Sequence, residues 1–278
     1  MGKLVMRLAQ STKSLQLLPV RMSDGRVLHL DLRETACMPY LLHGAIANEV
    51  GETMFIRSVV RSGEVAIDVG ASVGWYSTLL AEIVGAKGQV YAFEPNTRSL
   101  RMLNASASAY RQLEVVPAAL GDQQSETNLY VPGDSEMGSL RAIPGVVATQ
   151  RCRVTTLDAF REDRTILQPS FIKCDAEGAE LSIVRGALQT LNDDRPPMWL
   201  IEVSDWAAKR FGYRPATLIE LFKELPGAGY RAYRIDSPTG ELRPLPAKFD
   251  FRFNAVVVPA WQSERITVYR NQHATNGK

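Results

Sequence analysis

From residue 65 onward, short apolar runs alternate with longer segments in which apolar residues recur every three or four positions. The runs predict buried strands, and the longer segments predict helices with one apolar face. Strands that alternate with helices are typical of a parallel sheet covered on both faces. The predicted strands lie in EVAIDVG, QVYAFEP, LEVVPAAL, SFIKCD, MWLIEV, YRAYRID and FNAVVVP.

The end of this pattern differs from its beginning. The last two predicted strands are joined by SPTGELRPLPAKFD without a convincing helix, which indicates a hairpin and therefore one antiparallel strand. The region between the third and fourth strands is less regular, with the strand-like segments ETNLYVP and CRVTTLDAF near its ends. The segment EGAELSIVRGALQTL predicts one helix whose apolar face carries Leu181, Val184, Leu188 and Leu191.

We divide the chain into three parts. Residues 1–64 predict an N-terminal addition, with a strand near residues 26–32 and a helix over GETMFIRSVVRSG, that packs on or caps the core. Residues 65–262 predict the α/β domain that carries the chemistry. Residues 263–278 are polar, and we expect a frayed C-terminal tail.

Composition and charge exclude several classes of protein. Hydrophobic residues make up 45% and charged residues 22% of the 278 residues, as is usual for globular proteins. The net charge of +2 gives no general electrostatic case for binding nucleic acid, and no apolar run is long enough to span a bilayer. The three cysteines, Cys37, Cys152 and Cys174, form no CxxC motif, which favours a cytoplasmic location.

In the first 25 residues, every charged side chain before the first acid, Asp24, is basic. They lack the continuous apolar core of a secretory signal. An ordinary capping segment is the favoured interpretation, and a short amphipathic helix on a membrane surface is the alternative. A homodimer formed through the N-terminal addition is also compatible with the sequence.

The segment VAIDVGASVGWYS, residues 65–77, predicts a strand, a tight glycine turn and the start of a helix. A dinucleotide-binding turn requires G-x-G-x-x-G, but Ser72 stands where the middle glycine would be. Asp68, at the strand end, would repel a pyrophosphate, whereas it can accept hydrogen bonds from an ammonium group. S-adenosylmethionine (SAM) carries an ammonium group and no phosphate. Asp68 and Ser72 therefore favour SAM over a nicotinamide cofactor.

Two later strand ends support the same cofactor. Glu94 ends the second predicted strand, where an acid can bind both hydroxyls of a ribose. In PAALGD, the small residues Ala118 and Ala119, followed by Leu120, would line a flat adenine slot, with Asp122 near the exocyclic amine. The order and spacing of these segments predict a cofactor site at the carboxyl edge of the sheet.

Six segments in order resemble the motifs of the FkbM-type methyltransferases: IDVGASVGWYS, VYAFEPN, AALGD, TLDAF, FIKCDAEGAELSIVRGA and LIEV. The resemblance covers roughly residues 50–205. The segment around Lys173, Asp175 and Glu177 is the most specific part, because the family pattern is similar to K-x-D-x-E-G-x-E. Ser72 and Cys174 depart from it, since asparagine and a branched apolar residue are commoner at these positions.

The resemblance implies a class I methyltransferase fold. This is an α/β, Rossmann-like, seven-stranded and mostly parallel sheet with one antiparallel strand and helices on both faces. It also implies SAM-dependent methyl transfer, in many family members to hydroxyls of sugars, glycolipids or polyketides. The acceptor that we expect is a hydroxyl of a small molecule, sugar, glycoside or other secondary metabolite.

We expect the site at the glycine turn and the strand ends. The expected cofactor-binding residues are Asp68, Gly70, Ala71, Ser72, Gly74, Tyr76, Ser77, Glu94, Pro95, Ala119, Asp122 and Asp175. The catalytic candidates, which would contact the acceptor hydroxyl or accept its proton, are Asp175, Glu177 and Glu202. The alternative for Glu177 and for Glu180 is a capping role at a helix start, and for Lys173 it is pairing with a nearby acid.

A metal ion is not required by this chemistry, but a magnesium-dependent variant stays open. Asp175, Glu202 and Asp205 would then supply the oxygen ligands. Zinc is disfavoured because cysteines and histidines are not clustered. If the base were a histidine, it would have to be His29 or His43, but a structural role is favoured for both. The third histidine is His273.

The acceptor site has less specific signals. Residues 132–153 are rich in Gly, Pro and Ser and carry three arginines, and with a later aromatic cluster they would frame a sugar or another polar acceptor. A surface loop and an interface are equal alternatives. The side chains concerned are Arg141, Arg151, Arg153, Trp206, Arg210, Phe211 and Tyr213.

Other functions remain as alternatives. One is a nicotinamide-dependent oxidoreductase, and another is a non-catalytic cofactor-binding module on the same fold. A nucleic-acid methyltransferase fits poorly, because residues 175–178, DAEG, replace the expected Asn-Pro-Pro-aromatic motif.

Overall fold

The computed structural model describes residues 16–46, 49–133, 138–166, 168–225 and 227–274. The basic segment before residue 16 and the last four residues, about which the sequence raised expectations, lie outside these ranges. The strands are β1 (Leu18–Arg21), β2 (Val27–Leu30), β3 (Val65–Val69), β4 (Gln89–Phe93), β5 (Leu113–Val116), β6 (Ala119–Leu120), β7 (Ser125–Pro132), β8 (Val146–Thr155), β9 (Phe171–Cys174), β10 (Met198–Val203), β11 (Arg231–Ile235), β12 (Leu242–Arg243) and β13 (Phe253–Val258).

The helices separate most of these strands in the chain. They are α1 (Met38–His43), α2 (Val50–Val59), α3 (Trp75–Val84), α4 (Thr97–Ala107), α5 (Leu157–Arg164), α6 (Glu180–Arg185), α7 (Leu188–Leu191), α8 (Asp205–Arg210), α9 (Pro215–Glu224) and α10 (Ser263–Ala274). Single 3-10 turns lie at Thr35–Cys37, Gly85–Lys87 and Ala260–Gln262. None of the helices in the described ranges is long and apolar enough to cross a membrane.

The central sheet has the strand order β12-β11-β13-β10-β9-β3-β4-β5. The five neighbouring strands β10, β9, β3, β4 and β5 are parallel to one another. Strand β13 lies between β10 and β11 and is antiparallel to both. The predicted α/β class and mostly parallel sheet are thus confirmed. The expected count of seven is one too few, because the two residues of β12, within the predicted connecting loop, add an antiparallel edge to β11.

Both faces of the sheet are covered, because successive side chains of β3 point to opposite faces and apolar residues lie on each face. Ala66 packs into an apolar cluster with Phe55 of α2 and Leu79 of α3. Its neighbour Ile67 packs into the opposite cluster with Phe222 of α9. Two helical layers therefore bury the sheet and leave the carboxyl ends of its strands for a site.

The irregular region forms a separate three-stranded sheet, β6-β8-β7. The sequence suggested that CRVTTLDAF is strand-like throughout, but β8 ends at Thr155 and a helix, α5, begins at Leu157. The reason is local: the Thr156 side chain accepts a hydrogen bond from the backbone N–H of Ala159 and caps the helix.

The helix predicted over EGAELSIVRGALQTL is divided into α6 and α7 at Gly186. A Cβ atom at Gly186 would lie 1.9 Å from the carbonyl oxygen of Gly121. The chain therefore bends where it passes this backbone. As a consequence Leu188 is 38% exposed and does not share the buried face of Leu181.

The N-terminal addition packs on the core, with β2 and α2 where the sequence predicted a strand and a helix. Arg26, before β2, is buried, and its Nη1 donates hydrogen bonds to the carbonyl of Trp75 and to Thr78 of α3. The backbone N–H of His29 donates to Ser106 of α4 over 2.8 Å. The addition is thereby fixed against the helices that follow β3 and β4.

The expectation of a frayed tail is wrong for residues 263–274, which form α10. Ile266 and Tyr269, one helical turn apart, are buried against the core shared with α2. The Tyr269 hydroxyl donates to the carbonyl of Gly240 over 2.5 Å, and Arg265 pairs with Glu64. Two apolar positions in a polar segment are too weak a pattern to predict this docking.

Candidate functional site

A cavity of about 290 Å³ opens at the carboxyl edge of β3, β4 and β9. Twelve of the residues predicted from the sequence line it. They are Asp68, Gly70, Ala71, Ser72, Tyr76, Glu94, Pro95, Ala118, Ala119, Leu120, Asp175 and Glu177.

The turn after β3 forms one wall of this cavity through its backbone geometry. Gly70, Ser72 and Gly74 have φ values of +78°, +48° and +95°, all in the left-handed region. A Cβ atom at Gly70 would lie 1.9 Å from the carbonyl oxygen of Asp175, so the turn and the end of β9 touch through backbone. Gly74 begins α3 beside Leu103 and does not line the cavity.

Glu94 is held between two turns. Its Oε2 accepts a hydrogen bond from the backbone N–H of Ser72, and its Oε1 accepts one from Asn96, both over 2.8 Å. The side chain is 6% exposed and faces the cavity. Two backbone donors therefore fix a carboxylate at the end of β4, where the sequence predicted a ribose ligand.

Asp68 lies at the bottom of the cavity and is 2% exposed. The Ser77 hydroxyl donates a hydrogen bond to its Oδ2 over 2.5 Å. Burial raises the pKa of Asp68 to about 6, although this hydrogen bond opposes the shift. Ser77, which was predicted to contact the cofactor, instead positions Asp68 and does not line the cavity.

Lys173 and Asp175 form an ion pair at the end of β9. The Lys173 ammonium is 3.2 Å from Asp175 Oδ2 and 5.2 Å from the centroid of the Tyr76 ring. Burial raises the pKa of Asp175, but the charges of Lys173 and Arg252 outweigh it and hold the pKa below its usual value. The predicted pairing of Lys173 with a nearby acid is confirmed.

Glu177 follows in a strained turn, with φ +54°. Burial, followed by the negative charge of Asp175, raises the pKa of Glu177 to about 7. The residue before α6 is Ala179, so Glu177 does not cap this helix. Glu180 is buried and accepts hydrogen bonds from the N–H groups of Ala176 and Gly178. It therefore stabilises the turn and is not a surface acid.

Glu202, at the end of β10, is buried behind Arg252 and does not line the cavity. The two side chains form an ion pair, and Arg252 also lies 3.9 Å from Asp175 Oδ2. Burial and the charge of Asp175 raise the pKa of Glu202, against the opposing charge of Arg252. The structure therefore places this catalytic candidate beneath an arginine that does face the cavity.

The three acids of the predicted magnesium set do not come together. Asp205 pairs with Lys209 on α8, 2.7 Å away. Asp175, Glu180 and Glu202 do bring carboxylate oxygens within 4.8 Å of one another. Lys173 and Arg252 place two positive charges beside Asp175 and Glu202, and backbone N–H groups donate to Glu180, so this donor set disfavours a divalent cation.

Asp122 also lies away from the cavity. Its backbone N–H donates to Ser182 Oγ over 3.1 Å, and its side chain is exposed in a neighbouring groove. Arg141, Phe211 and Tyr213 line this same groove. Of the other residues suggested for the acceptor, Arg210 stacks on Trp206 at 3.9 Å, Arg151 pairs with Glu126, and Arg153 is exposed on β8.

Some cavity residues carry no signal in the sequence. The N-terminal addition supplies Tyr40, Ile46 and Glu49, and the hydroxyl of Tyr76 donates to Glu49 Oε2 over 2.5 Å. Other lining residues missed from the sequence are Trp75, Phe93, Leu129, Gly138, Leu140, Ala176, Ala179 and Arg252. Neither His29 nor His43 lines the cavity.

Comparisons with known proteins agree with the motifs. A profile described as the Methyltransferase FkbM domain matches residues 68–232, more than half of the chain. A search of curated proteins gives no significant match.

Solved structures similar to this chain share little sequence with it. A SAM-dependent methyltransferase from Aquifex aeolicus is 16% identical and matches 76% of this chain and 89% of its own, with a TM-score of 0.41. An rRNA methylase from Streptococcus thermophilus is 12% identical, with 77% and 99% covered and a TM-score of 0.43. Fibrillarin from Aeropyrum pernix, crystallised with SAM, is 12% identical, with 87% and 93% covered and a TM-score of 0.43. At these scores the likenesses carry no argument about the acceptor.

The family assignment therefore rests on the profile match, in which the glycine turn, Glu94 and the Lys173–Gly178 segment all fall. The chain belongs to the FkbM methyltransferase family and is a SAM-dependent methyltransferase.

Proposed function

We propose that the chain transfers a methyl group from SAM to a hydroxyl group of a small molecule, a sugar, glycoside or other secondary metabolite. The observation that carries this proposal is Glu177, a carboxyl group in the cavity wall with a pKa of about 7. A hydroxyl is a poor nucleophile unless its proton is removed, and a base works best when its pKa lies near the working pH.

The polar and apolar groups that line the cavity match the chemical groups of SAM. Asp68 offers a buried carboxylate for the ammonium group, and the fixed carboxylate of Glu94 offers two acceptors for the ribose hydroxyls. Small and apolar side chains, among them Phe93, Ala118 and Leu140, offer a flat surface for adenine. Two buried acids facing the cavity would repel the phosphates of a nicotinamide cofactor, which weighs against an oxidoreductase.

The acceptor hydroxyl would lie between Asp175 and Glu177. SAM, when bound, would supply an electrophilic methyl group: the acceptor oxygen would bond to its carbon while the carbon–sulfur bond breaks and the electron pair stays on sulfur. Glu177 takes the proton of the hydroxyl. Asp175, held ionised by Lys173 and Arg252, accepts a hydrogen bond and orients the acceptor.

Glu202 has a supporting role in this proposal. Its ion pair fixes Arg252, which in turn lies beside Asp175. Glu202 therefore positions Arg252 and does not itself contact the acceptor. The lack of a strongly basic net charge, +2, keeps nucleic acid outside the proposed acceptors.

The test is a methyl-transfer assay with monosaccharides, methyl glycosides and phenols, and with amine analogues of each. We expect S-adenosylhomocysteine (SAH) release with hydroxyl acceptors and an O-methyl ether as product, identified by mass spectrometry and NMR. Methylation of the amine analogues alone would contradict an O-methyltransferase.

Glu177→Gln tests the base. We expect the turnover rate to fall by about 100-fold or more while SAH affinity is unchanged. In the wild type the rate should rise as the pH passes about 7, because the base must be deprotonated, and the variant should lose this rise. The exposed Glu162→Gln on α5 is the matched control. A variant with wild-type turnover would remove Glu177 from the mechanism.

A further inference from the structure

A second depression, which we call the arginine groove, lies beside the cofactor cavity and has a volume of about 680 Å³. Its polar lining includes Gln123, Arg141, Ser182, Arg185, Arg214 and Thr217. Leu140 lines both the groove and the cavity, and Gly178, which follows the proposed base, lines the groove. The two depressions are therefore neighbours along one surface.

The three guanidinium groups reach the groove from separate parts of the chain. Arg141 precedes β8, Arg185 is the last residue of α6, and Arg214 precedes α9. None of the three forms an ion pair with a carboxylate of the described residues, whereas the surface residues Arg151 and Arg164 each pair with a glutamate. Asp122 is the one acid in the described lining, so the groove is positively charged.

The start of α9 adds to this charge. Arg214 is the N-cap residue of this ten-residue helix and makes no side-chain capping bond. Arg214 and Thr217 both line the groove, so the first helical turn borders it. The positive end of the helix dipole at such a turn favours an anion, although Pro215 has no N–H and the N–H of Thr217 already donates to the carbonyl of Arg214.

An aromatic ring completes the lining. Phe211 packs tightly on Gly178, where a Cβ atom would lie 2.5 Å from the ring. The Arg141 guanidinium is 5.8 Å from the centroid of the same ring. A rigid ring beside cationic and hydroxyl donors suits a ligand that carries both a flat or ring-shaped part and an anion.

We propose that the arginine groove binds the phosphate or diphosphate group of a phosphorylated acceptor. This inference rests on the proposed function, since it names the class of the acceptor. Guanidinium groups bind phosphate oxygens through paired, charge-assisted hydrogen bonds. The acids Asp68, Glu94 and Asp175 of the cofactor cavity would repel the same anion. The anion is therefore expected in the groove and not in the cavity.

The first experiment measures pyrophosphate binding by calorimetry to the full chain. We expect saturable binding that weakens about tenfold or more in the double variant Arg185→Gln/Arg214→Gln. The matched control is Arg111→Gln/Arg195→Gln, two exposed arginines outside the groove, which should bind like the wild type. Absence of saturation, or an equal loss in the control, would overturn the proposal.

SAH binding is measured on the same samples. It should be unchanged in both double variants, which shows that they are folded and that the cofactor cavity is intact. If SAH fails to bind the wild type while pyrophosphate still binds, the proposed function fails and the anion site stands. The two failures are therefore distinguishable.

A second experiment separates a free anion from an acceptor. In the presence of SAH, glucose 1-phosphate and inorganic phosphate are titrated into the wild type. We expect the sugar phosphate to bind at least about tenfold more tightly, because its sugar also contacts the protein. Equal affinities would show a site for free phosphate and would overturn the acceptor assignment.

Discussion

The two sides of the cofactor cavity are held by different forces. Around β3 and β4, the acid Glu94 is fixed by backbone N–H groups of two tight turns. Around β9, β10 and β13, the acids Asp175 and Glu202 are fixed by the side-chain cations Lys173 and Arg252. Backbone donors do not titrate and cannot move far, whereas a network of charges shifts the pKa of each member. The first side therefore suits binding, and the second suits proton transfer.

The largest effect should come from removing the buried cation of the second side. Lys173→Met would remove the nearest cation from the half-buried carboxylate of Asp175 and leave it only Arg252, 3.9 Å away, and we expect a loss of about 3–5 kcal/mol in the free energy of unfolding. Denaturant titration measures it. Lys209→Met, which breaks an exposed pair with Asp205, should cost less than about 1 kcal/mol. Similar losses in both variants would contradict the distinction between the two networks.

On the first side, Gly70→Ala should have the next largest effect. The new Cβ would collide with the carbonyl of Asp175, and φ +78° is unfavourable for alanine. We expect about 3 kcal/mol of destabilisation and loss of SAH binding. Gly145→Ala, at φ +73° with nothing within 4 Å, carries only the backbone strain of about 1 kcal/mol. Unaltered SAH binding in Gly70→Ala would show that the turn is not part of the site.

The pH dependence of SAH affinity should show the titration of Asp68 on the first side. The pKa of Asp68 is raised from 3.8 to about 6, so the protein without ligand takes up a proton there below this pH. An ammonium ligand requires the ionised form, and affinity should therefore rise about tenfold between pH 5 and pH 7. The rise should be absent in Asp68→Asn. A flat profile in the wild type would place the ammonium elsewhere.

Ser72→Gly should have the smallest effect. Glycine relieves the left-handed strain at φ +48°, but it adds freedom to the unfolded chain and removes the contacts of the hydroxyl, and we expect stability to change by no more than about 1 kcal/mol. The backbone donor to Glu94 is retained, so SAH affinity should not change. A tenfold weaker affinity would mean that the hydroxyl itself contacts the ligand.

The acids of both sides were predictable from sequence, whereas the contacts that Arg252 and Glu49 make with the site were not. Asp68, the glycine turn and Glu94 lie next to apolar runs, so that strand ends and chemistry are visible together. Arg252 lies 50 residues after Glu202 in an irregular loop, and Glu49 belongs to the N-terminal addition. Such contacts arise from tertiary packing, which leaves no local pattern.

Asp122 shows the limit even where the pattern is local. The sequence placed it at a strand end beside Ala119, near the adenine. The chain turns at Gly121, whose N–H donates to Thr155 of β8, and the next residue is bound to Ser182. A short strand in a second sheet thus redirects a side chain that spacing alone assigned to the cavity.

The most direct test of the account is a calorimetric titration of the purified chain with SAH, repeated with Asp68→Ala and Glu94→Ala. Glu126→Ala, which alters an exposed acid on β7, is the control. We expect micromolar binding to the wild type and the control, weakened by about 100-fold in the two cavity variants. Equal binding by all four proteins would contradict the assignment of this cavity to the cofactor.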